Sequence, residues 1–132
     1  MKFVAALLCS VVLFSSCTKT VTNKVDQAFS AIYTLNSSGW GTADNGLSYS
    51  TSLKVPEIDN FLQTNGAVVV YLSFDNGANY EAIPEVFDGI SYGSIHSVGQ
   101  VVIDLHAVDG STINPPGAAI LAKVVVIDAS PL

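Results

Sequence analysis

From Ala28 to Asp128 apolar and polar residues alternate in short runs, and Gly, Asn, Asp or Pro interrupts them roughly every 8 to 12 residues. Phe29, Ala31, Tyr33 and Leu35 alternate with smaller or polar neighbours, as do Leu47, Tyr49, Thr51 and Leu53 with Ser48, Ser50 and Ser52. A period of two sends successive side chains to opposite faces, so both segments predict strands with one solvated face. The apolar run Ala67 to Phe74 predicts a central strand buried on both faces or nearly so. Asp75-Asn76-Gly77 predicts a turn into Asn79 to Ile83, and Pro84, which has no amide proton for a ladder, predicts an edge or a strand end. Ile90 to Val98 and Gln100 to Val108 read as a hairpin about Gly99. Asn114-Pro115-Pro116-Gly117 forces a turn, after which Ala118 to Ile127 predicts a second apolar strand.

One segment departs from this period. Pro56 suits a first helical turn, Glu57 and Asp59 suit the positive end of a helix dipole, and Ile58, Phe61 and Leu62 share one side, so Pro56 to Gln63 predicts a short helical turn stopped before Gly66. Short strands with one helical turn predict an all-β fold, an antiparallel β-sandwich of about seven strands.

Residues 1 to 27 follow a different pattern. Lys2 precedes an apolar run from Phe3 to Phe14 that ends on Ser15, Ser16 and Cys17. The run falls short of the roughly 20 residues that span a ~30 Å hydrocarbon core, and small residues follow it where a peptidase must reach the backbone. It reads as a cleaved secretion signal, residues 1–16. A cysteine directly after two small residues is where a diacylglycerol is attached in bacterial lipoproteins, although Phe14 stands where an aliphatic residue is usual. Cys9 leaves with the signal, and lipidation of Cys17 then accounts for the one remaining thiol, which could form no internal disulfide in an oxidising compartment. Thr18 to Gln27 is polar and predicts a tether, giving a lipidated segment over 17–27 and a sandwich domain over 28–132.

Charge narrows the partners. Without Lys2 the chain carries 4 lysines against 11 carboxylates, a net −7, and it contains no arginine. Nucleic acid and anionic headgroups are therefore not expected partners; the membrane is reached through the lipid instead.

Ile58 with its short helix, then Gly66-Ala67-Val68-Val69-Val70-Tyr71, Ile83-Pro84, and the terminal Lys123-Val124-Val125-Val126-Ile127 resemble a group of small Bacteroidetes-type lipoproteins with an immunoglobulin-like β-sandwich. The resemblance spans roughly Trp40 to Ile127. It implies an immunoglobulin-like sandwich in the cell envelope, with the outer membrane as the expected site, and brings no catalytic residue with it.

Candidate chemistry is sparse. The two histidines, His96 and His106, fall on opposite faces if residues 98–101 form a tight hairpin, which argues against a shared metal or acid–base site. Glu81 and Glu85 flank Pro84 and could form a glycosidase pair, but an exposed edge leaves both solvated. Gly93-Ser94-Ile95-His96 lacks the second glycine of a nucleophile elbow. Asp44-Asn45-Gly46, Asp75-Asn76-Gly77, Asp88-Gly89 and Asp109-Gly110 lack the repeated acidic ligands of a calcium loop and read as turns. Trp40, the single tryptophan, lies between Gly39 and Gly41; it is either a loop platform for a glycan or protein partner or, as burial energetics favour, a packing residue. No catalytic residue, metal or cofactor is expected. The sequence points to a non-enzymatic binding or interaction module on a lipid anchor, ahead of a structural subunit of a pilus-like or secretion-associated assembly and of a small hydrolase.

Overall fold

A computed structural model describes residues 28–129 and 131; the signal segment, Cys17 and the tether lie outside the described residues. The described residues form eight strands: β1 (Ala28–Leu35), β2 (Ser48–Lys54), β3 (Ala67–Ser73), β4 (Glu81–Ala82), β5 (Glu85–Phe87), β6 (Ile90–Ser97), β7 (Gln100–Ala107) and β8 (Ile120–Ile127). They form two four-stranded antiparallel sheets, ordered β1-β8-β3-β4 and β2-β7-β6-β5. The architecture is the expected all-β sandwich, with a strand order that sets the first strand beside the last.

Alternation builds the core. On β8, Ile120, Ala122, Val124 and Val126 are buried, and on β7 Val101, Ile103, Leu105 and Ala107 are. These two central strands line a single cluster with Leu35, Leu53, Val70, Leu72 and Tyr92, drawn from both sheets. The outward residues of β3 and β8 are apolar too, yet Val69, Tyr71, Leu121, Val125 and Ile127 stay half-buried, with the turn at Gly77 and Tyr80 against Leu121 and Lys123. β3 is an internal strand, as expected, with one face buried and the other half-buried.

The helix is also displaced from its expected place. It is α1 (Asn60–Asn65), capped by Asp59, whose side chain accepts from the Leu62 amide at 2.8 Å. Pro56 and Glu57 lie in the preceding turn instead, where Ile58 N–H donates to the Val55 carbonyl. Gly99 N–H donates to the Ile58 carbonyl and Val55 N–H to the Gly99 carbonyl, which pins this turn to the β6–β7 hairpin and drives Ile58 into the core. The return after Asp75 is shorter than expected: two residues pair with β3, then the chain crosses to the other sheet at the cis Ile83–Pro84 bond.

Candidate functional site

A sheet edge offers unpaired backbone donors and acceptors, and proteins usually close such edges with short strands, proline, charge or a covering loop. Three of the four edge strands here carry such features. β4 has two residues and β5 three, with Pro84 between them, and they pair with Tyr71–Leu72 of β3 and Ile90–Tyr92 of β6, so Gly93–Ser97 of β6 has no strand on that side. The free side of β2 is bridged at its centre by Gly41, whose N–H donates to the Ser50 carbonyl at 2.9 Å while Ser50 N–H donates back at 2.8 Å.

Among the described residues the fourth edge, β1, has none of these features. Its eight residues run in unbroken register from Ala28 opposite Ile127 to Leu35 opposite Ile120. The sequence Ala-Phe-Ser-Ala-Ile-Tyr-Thr-Leu holds no proline and no acidic or basic side chain. Phe29 is 50% and Ile32 59% exposed, on opposite faces of the strand. On the inward side, Phe29, Ala31 and Tyr33 line a shallow groove with Val55, Val124 and Val126, and Glu57 stands at it. The Tyr33 hydroxyl donates to the Lys54 carbonyl at 3.2 Å, and burial, followed by the Glu57 charge, raises its pKa. On the outward side, Ile32 continues the half-exposed apolar face of β8 and β3. Lys123 on that face sits 4.6 Å above the Tyr71 ring and 4.4 Å above the Tyr80 ring, so cation–π contact absorbs its charge.

At the opposite side of the sandwich the two sheets part around a cavity of about 270 Å³ lined by Leu72, Phe74, Asp75, Asn79, Glu81 and Phe87. Phe74 stacks on Phe87 at 4.9 Å and meets Tyr92 edge-on at 5.2 Å. Glu81 lies opposite the inward Leu72, and Glu85 opposite the inward Tyr92. Both carboxyls therefore lie at the gap; Glu81 is exposed, as expected for a solvated carboxylate, whereas Glu85 is half-buried, which corrects that expectation for it. Burial first, then the Glu81 carboxyl, pushes the Glu85 pKa up, and its Oε1 is buried with no hydrogen-bond partner.

Trp40 is 7% exposed and belongs to the core cluster, with its Nε1 buried and unpartnered. A ring so enclosed offers no face to a glycan, so the candidate binding role for Trp40 gives way to packing. His96 lies opposite Val101 on the inward side of β6, and His106 opposite Ser48 and Ser91 on the outward side of β7, so the two do not converge. Among the described residues no group of three or more His, Cys, Asp or Glu side chains could hold a metal ion.

Two of the Asp-Asn-Gly turns prove to be copies of one device. Gly46 N–H donates to Thr42 Oγ1, Thr42 Oγ1 donates to Asp44 Oδ1, and Ser48 donates its N–H to Oδ1 and its hydroxyl to Oδ2 of Asp44. Ser73, Asp75, Gly77 and Asn79 repeat the pattern, with the Asn79 amide replacing the hydroxyl. Asn45 and Asn76 both adopt φ 58°, and the following glycines φ 88° and 89°. Each carboxylate is thus taken up by its own loop. The signal was a seven-residue repeat, Thr-x-Asp-Asn-Gly-x-Ser against Ser-x-Asp-Asn-Gly-x-Asn, in which the flanking hydroxyl residues matter as much as the Asp-Asn-Gly. No protein-family model, curated protein or solved structure matches the chain.

Proposed function

We propose that this protein is a lipid-anchored, non-enzymatic interaction module of a bacterial cell envelope, and that a protein partner binds it by adding a strand to β1. The observation that carries the reading is the contrast between three edge strands that are short or bridged and one uncharged edge strand of eight residues. Strand addition supplies main-chain hydrogen bonds, while Phe29 and Ile32 supply apolar contacts on either face. The anchor rests on the signal-like residues 1–16 and on Cys17 as the acceptor thiol.

Two measurements on the full chain test the two halves. Cys17→Ala is expected to abolish incorporation of labelled palmitate and to release the protein from membranes; a variant that stays labelled and membrane-bound removes the anchor. Ile32→Lys places a charge on the exposed edge and is expected to abolish recovery of β1-dependent complexes from crosslinked envelopes, with an unchanged melting temperature. Recovery equal to wild type removes the edge. The alternative reading, a structural subunit of an envelope assembly, draws on the same edge and differs in what sits against it.

A further inference from the structure

We infer that the strand added to β1 is β1 of a second copy of this chain, antiparallel and related by a two-fold axis at Ile32; this rests on the reading of β1 as an interaction edge. An axis perpendicular to the sheet keeps inward residues of one copy beside inward residues of the other. With the axis on Ile32, Phe29 faces Leu35 of the second copy and Ala31 faces its Tyr33 on the inward side. On the outward side Ser30 faces Thr34, and Ile32 faces Ile32. Every pair is like with like: apolar against apolar, hydroxyl against hydroxyl. An axis on Ala31 instead sets Ser30 against Ile32 and Ala28 against Thr34, mixing polar and apolar groups on one face.

Charge selects the same seam. The chain carries 11 acidic residues against 5 lysines, so two copies repel over most of their surfaces. β1 itself brings no acidic or basic side chain to the contact, and the charge on its inward side is Glu57, in the groove beside Tyr33. The nearest charge on the outward face is Lys123, opposite Ile32 on β8. The two copies of Lys123 lie three strand spacings apart, about 14 Å, beyond the ~8 Å screening length at physiological salt.

Closure follows from the other edges. An isologous contact uses the same surface twice and stops at two copies unless a further edge is free. β2 is bridged at Ser50 and ends on Lys54, β4 and β5 are two and three residues long, and none matches the unbroken uncharged run of β1, so the expected product is a dimer with a continuous eight-stranded sheet, not a fibre.

Single cysteines in the full chain, oxidised in the membranes that carry it, test this, with the wild type as the background for its own thiols. Directly opposed residues of an antiparallel pair bring their Cβ atoms to about 4.5–5.5 Å, close to what a disulfide needs. Ile32→Cys is expected to give a disulfide-linked species of twice the chain mass. Thr34→Cys alone is expected to give none, but to link when mixed with Ser30→Cys. Val98→Cys, at the exposed tip of the β6–β7 hairpin, is expected to give none. Ile32→Lys is expected to convert the dimer to monomer in detergent without lowering the melting temperature. Linking at Thr34 alone, or equally at Val98, overturns the register. If Ile32→Cys links to a different protein and never to itself, the second copy is excluded while the edge reading stands. If it links to nothing and Ile32→Lys changes neither mass nor complexes, both fall.

Discussion

Glu81 and Glu85 belong to different sheets and converge on one gap, Glu81 opposite Leu72 and Glu85 opposite Tyr92, with no basic side chain lining the cavity between. The raised pKa of Glu85 means that the folded chain binds more protons than the unfolded chain between the ordinary glutamate value and the raised one. Stability contributed by this group is present below the unfolded pKa and lost as pH rises through the folded one. Glu85→Gln is expected to raise the melting temperature at pH 7, with the gain vanishing below about pH 4. Glu81→Gln is expected to act in the same direction by removing the like charge. A lower melting temperature for Glu85→Gln at pH 7 would contradict this.

Asp75 has the opposite sign. Its carboxylate accepts first from the Asn79 amides and then from the Ser73 hydroxyl, which lowers its pKa to about 2. The stabilisation is complete above the unfolded aspartate value of about 3.9 and is lost as pH falls toward 2. Asp75→Asn should therefore flatten the acid limb of the stability curve in that window. Carbon-detected NMR titration checks the cause directly, and a carboxyl that titrates near 4 would refute it. Asp44 is expected to titrate below its ordinary value for the same reason, led by the Ser48 hydroxyl.

Trp40 supplies a third test. Trp40→Ala is expected to cost about 3 kcal/mol, in the range for large-to-small core changes. Trp40→Phe is expected to cost less, because it also removes the buried indole N–H that has no partner. The wild-type emission should be blue-shifted and resist iodide. Red-shifted, readily quenched emission with an unaffected Ala variant would return Trp40 to the surface.

Gly66 joins α1 to β3 and allows no side chain. A Cβ there would lie 2.5 Å from the Ile127 carbonyl oxygen and 2.7 Å from Leu62 Cγ. The first neighbour is backbone held in the β3–β8 ladder, so it cannot yield cheaply. Gly66→Ala is expected to destabilise the domain by about 2 kcal/mol, measured by urea denaturation; a neutral result would show that the α1–β3 junction shifts freely.

Much of this fold was legible because alternation survives in one dimension. Phe29 to Leu35, Leu47 to Leu53 and the Gly99 hairpin match β1, β2, β6 and β7 with errors of a residue or two. The run Val68 to Leu72 reads alike whether one face or both are covered, so its half-exposed outer face could not be read from it. Pro56 and Asp59 compete for the same helix start, and the aspartate cap prevails because the Gly99 contacts hold Ile58 in the turn. The absence of charge in residues 28–35 was plain in the sequence. That these residues form an edge was not, because it depends on a pairing with β8 at the far end of the domain.

That pairing also sets an order of events. β1 and β3 both lean on β8, and each finds its full-length antiparallel neighbour only there. A chain emerging N-terminus first has nothing to complete this sheet until Ile120–Ile127 has appeared. The sheet β2-β7-β6-β5 can assemble earlier, once Ala107 is out, leaving β1 and β3 waiting with their hydrogen bonds unmade. Until the last strand is delivered, the inward side chains of β2, β7 and β6 have no facing sheet to close on, so the two-layer core forms only at the end of the chain.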